Sequence, residues 1–370
     1  MQPVSYDINE HACTLSATCS GQVYTLPALW LRERCQDPDN LDGVTKQRLF
    51  DPHFLDQNIT LTEVKKLSDN SVQLSFSDGY SGAYDLREFD ADFNPAGVVP
   101  EAKAWRSDID KSLFYIDLAE LSTDQGLRKG LETFLTYGVL IIDNVPTESG
   151  ALIDVGKIFG HVRETNFGMF FEVFSRPNST DLAYRSVALG PHTDNPYRSP
   201  IPGIQLLHCL ENHTTQGLST LADSLAVIEQ LRAEDPEGFK LLCSVPVRYR
   251  YLDEDIELVE RRTMIETDIN GNVVGVAYSP RLDYLPLLPE HELIVFHRAR
   301  KRLGELFCDP QYQWCFRLEP GQLQMFHNNR VLHGRTSFNP NEGRRHLQGA
   351  YIDLDGPKGR YKALMRKLGA

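Results

Sequence analysis

Residues that alternate between apolar and polar types recur along the first quarter of the chain. The alternation is clearest in residues 4–8, 23–26, 59–64 and 71–76. Because successive side chains of a strand point to opposite faces of a sheet, this period predicts half-buried strands. A turn sequence, Ser77-Asp78-Gly79, follows the last of these segments. We predict a small N-terminal β domain over residues 1–92.

A turn-rich segment separates this domain from the rest of the chain. Residues 93–100 contain two prolines and one glycine, and we place a linker at residues 93–104. Beyond it, leucines at 127, 131 and 135 predict a helix over 124–137, capped by Asp124. A continuous apolar run predicts a buried strand at 138–143. Further helices are expected at 149–160 and 224–242.

From residue 192 onward the pattern favours strands. They are predicted at residues 204–209, 272–278, 313–318, 322–326 and 347–353. Strands at this spacing, separated by Gly and Pro turns, are typical of a double-sheet jelly roll. We therefore predict a mainly β fold with flanking helices, in which residues 105–370 form a double-stranded β-helix (jelly roll) catalytic domain.

Composition excludes several classes of partner. The hydrophobic content of 41% over 370 residues is ordinary for a globular protein with an ample core. A net charge of −13 argues against nucleic acid, since phosphate binding needs a basic surface. No apolar run reaches the roughly 18–20 residues of a membrane span. The first residues also lack the basic and apolar regions of a signal peptide.

The cysteines indicate the compartment. Seven are scattered along the chain, and no CxxC pair occurs. This spacing suggests neither a zinc knuckle nor a disulfide framework. We expect a protein of the reducing cytoplasm.

Candidate chemistry centres on His192-Thr193-Asp194. In an extended chain this spacing puts an imidazole and a carboxylate on one face. Far downstream, His333 offers a third ligand. Two His and one Asp, with the other positions open, form the ligand set of non-heme Fe(II) oxygenases. A His-x-Asp tripeptide alone is weak evidence, because both residue types are common on surfaces.

Two more residues strengthen the oxygenase interpretation. An oxygenase that consumes a dicarboxylate needs a buried cation for the distal carboxylate, and Arg345 lies just before a predicted strand. The hydroxyl of Ser219 could donate to the same carboxylate.

At this point the chain resembles a known family. The matching segments are residues 30–35 and 48–51 in the first domain, and 181–184, 192–194, 202–209, 329–335 and 345–351 in the second. They resemble the γ-butyrobetaine dioxygenase and trimethyllysine dioxygenase family of Fe(II)/2-oxoglutarate oxygenases, within the taurine-dioxygenase-like superfamily. The resemblance covers essentially the whole chain.

The resemblance implies roles for the candidate residues. His192, Asp194 and His333 would hold Fe(II), and Arg345, helped by Ser219, would bind the distal carboxylate of 2-oxoglutarate. The neighbouring Arg344 is the alternative to Arg345. The family consumes 2-oxoglutarate and O₂, releases succinate and CO₂, and converts a substrate C–H bond to an alcohol.

The resemblance also implies a substrate with a trimethylammonium group. Such a group is bound by the faces of aromatic rings. The family's aromatic cage falls on Tyr184, Tyr351, Phe167 and Phe171 in this chain. The family more often has Tyr and Trp at the two phenylalanine positions, so this cage would be weaker or differently shaped. Core packing is the other explanation for Phe167 and Phe171.

The acidic end of the substrate is less well defined. Asp181, Asn195 and Arg281 are the candidate contacts, with Arg298 as a further cation. Arg281 lies near the position of an Asn pair in the family, which suggests a different anionic group such as a phosphonate. A solvated surface charge is the alternative for each arginine.

Relatives from animals carry a structural zinc in the N-terminal domain. Here Cys35 remains, but the other ligand positions fall on Asp37, Asn40 and Tyr80. One thiolate cannot replace a closed four-ligand site, so we predict no zinc. The resemblance implies one of two roles for this domain. It would either cover the mouth of the active site or form a homodimer interface.

Several functions therefore stay open. The first is hydroxylation of γ-butyrobetaine to carnitine. The same chemistry could act on a trimethylaminoalkyl phosphonate, on trimethyllysine, or on an amino acid, a sulfonate or another phosphonate. If the protein were a metal-dependent binding or sensing module without turnover, one of the metal-ligating residues would be expected to be missing. A hydrolase would leave Arg345 and Ser219 without a purpose.

Overall fold

The computed structural model describes residues 2–94, 97–174 and 188–369. The chain divides into two compact units, Met1–Val98 (unit 1) and Val99–Ala370 (unit 2). Two of the predicted substrate contacts, Asp181 and Tyr184, lie outside the described residues.

Unit 1 consists of two three-stranded antiparallel sheets, ordered β1-β2-β3 and β4-β5-β6. Its core contains Leu15, Val72, Leu74 and Tyr84, which are fully buried. The four strands predicted here are confirmed as β1, β3, β4 and β5, whereas β2 and β6 were missed. The elements are β1 (Val4–Asn9), β2 (Thr14–Cys19), β3 (Gln22–Thr25), α1 (Ala28–Glu33), β4 (Leu61–Ser68), β5 (Ser71–Phe76), β6 (Ser81–Asp85) and α2 (Asp90–Phe93).

The four positions at which the resemblance implied zinc ligands in relatives form hydrogen bonds with neighbouring side chains. Asp37 accepts from the Tyr80 hydroxyl and, at 2.9 Å, from the Asn40 amide. Cys35 is buried, with its Sγ 3.6 Å from Nη1 of Arg32. These bonds link the segment after α1 to the turn before β6, so they connect the same positions without a metal. The absence of zinc itself stays a prediction.

Unit 2 contains both strands and helices. Its strands are β7 (Tyr115–Asp117), β8 (Val139–Asp143), β9 (Val162–Arg163), β10 (Phe171–Phe174), β11 (Leu189–His192), β12 (Ile204–Asn212), β13 (Ser219–Asp223), β14 (Val247–Leu252), β15 (Glu257–Arg262), β16 (Ile265–Thr267), β17 (Val273–Val276), β18 (Asp283–Tyr284), β19 (Gln313–Phe316), β20 (Leu323–His327), β21 (Val331–Arg335) and β22 (Arg345–Ile352). Its helices are α3 (Asp124–Tyr137), α4 (Ala151–Phe159), α5 (Ser224–Glu234), α6 (Pro236–Ser244), α7 (Glu290–Cys308) and α8 (Asp355–Leu368).

Two sheets dominate unit 2. The larger has the order β10-β22-β12-β20-β8-β7, with β9 also paired to β22, and the smaller has the order β11-β21-β13-β19. Neighbouring strands are antiparallel except β7 and β8, which are parallel. Each sheet buries one face against the other, which is the double-sheet arrangement of a jelly roll. The predicted fold class is confirmed.

The helix predictions were partly wrong. Thr123, not Asp124, caps α3, since its hydroxyl accepts from the Gly126 N–H. The predicted helix at 224–242 is two helices, because Pro236 cannot continue α5 and instead begins α6. Helices α7 and α8 were missed. No helix among the described residues is both long enough and apolar enough to span a bilayer.

Burial of His208 makes stability depend on pH. This residue of β12 is fully buried, and burial lowers its pKa to about 4 from an ordinary value of about 6.5. The unfolded chain therefore binds a proton more readily, so stability should fall as the pH drops from 6.5 towards 4. At pH 5.5 the loss from this residue is about 1.4 kcal/mol.

Urea unfolding of wild type and His208→Leu at pH 7.5 and 5.5 tests this prediction. The variant should lose less free energy of unfolding between the two pH values than wild type does. An equal loss in both proteins would contradict the assignment.

Candidate active site

Two histidines and one aspartate meet at the smaller sheet of unit 2. His192 is the last residue of β11, Asp194 lies two residues beyond it, and His333 is in β21. His192 and His333 are register partners on these neighbouring antiparallel strands. One ligand atom from each of the three residues lies within 4.8 Å of the others, so the cluster can hold a metal ion.

The His192 ring is held by its own strand. Its Nδ1 lies 3.0 Å from the carbonyl oxygen of Gly190. Because a carbonyl oxygen only accepts hydrogen bonds, this contact favours the tautomer with the proton on Nδ1. Nε2 is then the ligand atom, and it lies 3.4 Å from Oδ1 of Asp194.

The backbone of the turn is fixed from both sides. The side chain of Asn328 accepts from the Asp194 N–H at 2.7 Å and donates to the Asp194 carbonyl oxygen at 2.9 Å. The Thr193 N–H donates to the Tyr278 carbonyl oxygen at 2.7 Å, and the Tyr278 N–H donates to the Thr193 hydroxyl at 3.0 Å. Such outer contacts orient metal ligands before any ion binds.

Electrostatics favour the metal-binding protonation states. Burial acts to raise the pKa of Asp194, but the two histidines and the Tyr351 hydroxyl outweigh it and hold that pKa below its ordinary range. Burial, followed by His192, lowers the pKa of His333 to about 3. An ionised carboxylate beside a neutral imidazole is the form in which these groups bind metals.

The cluster opens into a cavity of about 530 Å³ lined by strands of both main sheets. The larger sheet contributes Gln205, Leu207, Gln324, Arg345, Leu347 and Tyr351. The smaller sheet contributes Leu189, Ser219, His333, Gly334 and Arg335. A cavity of this size holds a small ligand beside the metal-binding cluster.

Arg345 suits an incoming carboxylate. It begins β22, is 5% exposed, and its Nε has no hydrogen-bond partner among the described residues. Burial lowers the pKa of Arg345, and neither of the other two side chains that act on it, Cys209 and Arg317, is a carboxylate. Ser219 is buried in the same cavity. Since a buried cation without a partner is costly, the site fits a dicarboxylate such as 2-oxoglutarate.

Five aromatic rings form a continuous wall of the cavity, which we call the aromatic wall. The ring-centroid distances are 5.4 Å for Tyr351–Phe171, 6.2 Å for Phe171–Phe167, 5.9 Å for Phe167–Tyr251 and 5.0 Å for Tyr251–Tyr197. Both ends of the wall reach the turn after His192. The Tyr351 hydroxyl donates to Asp194 Oδ2 at 2.7 Å, and the Tyr197 hydroxyl donates to Asn195 Oδ1 at 2.5 Å.

The structure thus brings most of the predicted residues together and adds others. Phe167, Phe171, Tyr351, Asn195 and Arg281 all line the cavity. Arg298 does not, because it lies on α7 and pairs with Asp235 at 2.7 Å. Sequence reasoning missed Tyr197, Tyr251 and Arg335. Tyr197 and Arg335 lie within five residues of a predicted ligand, and that proximity was the available signal.

Comparisons with known proteins identify the family of the chain. Residues 101–351 match the family model described as taurine catabolism dioxygenase TauD, TfdA family, and residues 16–88 match gamma-butyrobetaine hydroxylase-like, N-terminal. The gamma-butyrobetaine dioxygenase of Pseudomonas sp. (strain AK-1) is 32% identical over 94% of this chain and 92% of that protein. Human mitochondrial trimethyllysine dioxygenase is 27% identical over 93% of this chain and 87% of that protein.

Among solved structures, an asparagine oxygenase in complex with Fe(II), 3-hydroxyasparagine and succinate has a TM-score of 0.49 at 16% identity, covering 71% of this chain and 89% of that one. The family model covers most of unit 2, and the Pseudomonas relative covers nearly the whole chain. The chain therefore belongs to the taurine catabolism dioxygenase TauD, TfdA family, and it is an Fe(II)- and 2-oxoglutarate-dependent dioxygenase.

Proposed function

We propose that this dioxygenase hydroxylates a small zwitterion with a trimethylammonium group, with γ-butyrobetaine as the first candidate substrate. The observation that carries the proposal is the aromatic wall, which starts and ends beside the metal-ligating turn. A quaternary ammonium cannot donate a conventional hydrogen bond, and aromatic faces are the groups that bind it. The cavity also contains the carboxylates of Glu172 and Asp253, whose charge favours a cation.

The remaining polar groups of the cavity have separate roles in the proposal. His192, Asp194 and His333 would hold iron, which when bound supplies the oxidising chemistry that 2-oxoglutarate and O₂ drive. Arg345 and Ser219 would bind the distal carboxylate of 2-oxoglutarate and so orient its keto acid end towards the metal. The aromatic wall would fix the substrate's ammonium end, which decides the C–H bond presented for oxidation.

The acidic end of the substrate is assigned to Asn195 and Arg281. Asn195 is buried in the cavity wall, and Arg281, which is exposed, lines the cavity while forming no ion pair with a described residue. A cation at this position supports an acid with more negative charge than a carboxylate. A trimethylaminoalkyl phosphonate is therefore the second candidate substrate. Trimethyllysine, the substrate named for the human relative, is the third.

We also propose how the enzyme is placed in the cell. It would work in the cytoplasm on a small molecule, without a nucleic acid or membrane partner. The net charge of −13 and seven cysteines without disulfides support these assignments. A binding or sensing module without turnover is disfavoured, because all three metal-ligating residues and Arg345 are in place.

A substrate panel tests the proposed substrate class. The enzyme, supplied with Fe(II), 2-oxoglutarate and O₂, would be incubated with γ-butyrobetaine, trimethyllysine, a trimethylaminoalkyl phosphonate, taurine and asparagine. We expect a trimethylammonium compound to raise succinate formation above the rate without substrate, and its product to gain one oxygen atom by mass spectrometry. If taurine or asparagine alone did so, the proposed class would be wrong.

A neutral analogue isolates the role of charge. In 5,5-dimethylhexanoate a carbon atom replaces the nitrogen of γ-butyrobetaine, so shape is kept and charge is lost. Loss of a cation–π contact worth about 0.5–2 kcal/mol corresponds to roughly 2- to 30-fold weaker binding. Tyr251→Ala should likewise raise the KM for the ammonium substrate and leave the KM for 2-oxoglutarate unchanged.

A further inference from the structure

The two oxygens of the Asp194 carboxylate have different neighbours. Oδ1 lies 3.4 Å from Nε2 of His192 and 3.8 Å from Nε2 of His333. Oδ2 instead accepts a hydrogen bond from the Tyr351 hydroxyl at 2.7 Å. One oxygen therefore faces the other metal ligands, while the second is bound to a phenol.

We propose that Tyr351 is a positioning residue that keeps Asp194 a one-oxygen ligand of the metal. The inference rests on the proposed iron site and deepens it. Two histidines and a carboxylate bound through both oxygens would fill four of six octahedral positions. The keto acid end of 2-oxoglutarate needs two more, so O₂ would have none. A hydrogen bond that occupies Oδ2 keeps the sixth position open.

Both partners of this hydrogen bond are held in place. Tyr351 lies near the end of β22, is 4% exposed and pairs in register with Gln205 of β12 on one side and Arg163 of β9 on the other. Its ring packs against Phe171 at a centroid distance of 5.4 Å. The Asp194 backbone is fixed by Asn328. The Tyr351 ring cannot turn away without losing its packing, and the Asp194 side chain extends from a fixed backbone, so the two groups lie within hydrogen-bond distance before metal binds.

The two parts of Tyr351 thus have separate tasks. Its ring belongs to the aromatic wall, whereas its hydroxyl bonds to a metal-ligating carboxylate. A substitution that removes only the hydroxyl separates them. Tyr351→Phe keeps the ring and should chiefly affect metal binding, whereas a role limited to ammonium binding would leave metal affinity unchanged.

Calorimetric titration of the full-length, metal-free protein with Mn(II) is the direct test. Removal of an outer-shell partner typically weakens metal binding 10- to 100-fold, so we expect the Mn(II) Kd of Tyr351→Phe to rise by about that factor. The matched control is Tyr249→Phe. Tyr249 is also fully buried, but its hydroxyl donates to the Ala277 carbonyl oxygen at 2.7 Å and lies outside the cavity. Its Mn(II) Kd should equal that of wild type.

A second measurement reads the metal's surroundings rather than its affinity. Under argon, Fe(II) with 2-oxoglutarate should give wild type a visible charge-transfer band, and the band should shift in Tyr351→Phe but not in Tyr249→Phe. If Tyr351→Phe is insoluble, Tyr351→Leu provides another hydroxyl-free variant.

The outcomes distinguish a failure of the proposed iron site from a failure of the proposed role of Tyr351. Wild type that binds neither Mn(II) nor Fe(II) stoichiometrically would overturn the proposed iron site. Wild-type binding together with an unchanged Kd and band in the hydroxyl-free variant would overturn only the role of Tyr351. Equal weakening in Tyr249→Phe would show a general loss of structure and would also count against that role.

Discussion

Replacing Arg345 with methionine should raise the 2-oxoglutarate KM by roughly 30- to 5000-fold. The guanidinium is 5% exposed and has an Nε without a partner among the described residues, so a bound carboxylate would be its main counter-charge. Loss of one partner from a buried, hydrogen-bonded charge pair costs about 2–5 kcal/mol. Succinate formation measured against 2-oxoglutarate concentration gives the KM, and a binding titration of 2-oxoglutarate gives the Kd.

The neighbouring arginine is the control. Arg344 is exposed, and its Nη1 pairs with Glu211 at 3.2 Å on the surface of the sheet. Exposed ion pairs contribute little, so Arg344→Met should keep the wild-type KM and stability. Arg345→Met should also remain folded, because it removes a buried charge that forms no ion pair with any described residue. An effect in Arg344→Met alone would place the 2-oxoglutarate site one residue earlier.

Local sequence patterns predicted the metal-ligating cluster better than they predicted the aromatic wall. His192 and Asp194 share a short motif, and His333 became a candidate through its own motif, so both could be found without knowing the fold. Tyr251 could not be found in this way. Its side chain reaches the cavity only because the fold places β14 beside the turn after His192. The hydrogen bond of the Tyr351 hydroxyl could not be predicted either, since the sequence shows that a tyrosine is present but not which group accepts its hydrogen bond.

In the fold, too, some elements could be predicted from local sequence patterns and others could not. A strand was predicted at residues 204–209, where four of the six residues are apolar, and β12 is buried on both faces there. Helix α7 was missed although Phe296, Ala299 and Leu303 recur at helical spacing, because its charged residues dominate the segment. Pairing of β22 between β10 and β12 joins segments far apart in the chain, and no local pattern specifies it.

Replacing Arg330 with methionine should lower the free energy of unfolding by about 3–5 kcal/mol, since breaking a buried ion pair leaves the other charge uncompensated. Arg330 is 6% exposed and contacts Asp223 through two bonds, each of 3.0 Å. It also donates to the carbonyl oxygens of Thr136 and Lys103 at 2.9 and 2.6 Å. This network joins β13, the end of α3 and the segment before β7 behind the metal-ligating strands. Urea unfolding at pH 7.5 measures the change.

Two comparisons make this prediction specific. Arg298→Met removes an arginine whose side chain is 53% exposed from its pair with Asp235, and it should cost much less stability than Arg330→Met. The double variant Arg330→Met with Asp223→Leu should recover part of the loss, because no buried charge remains. Recovery should be incomplete, since Asp223 also accepts from the N–H groups of Trp105 and Leu225 and so caps α5. Equal stability of Arg330→Met and wild type would mean that the pair contributes no net stability, and the strands that carry His333 and Ser219 would then depend on apolar packing alone.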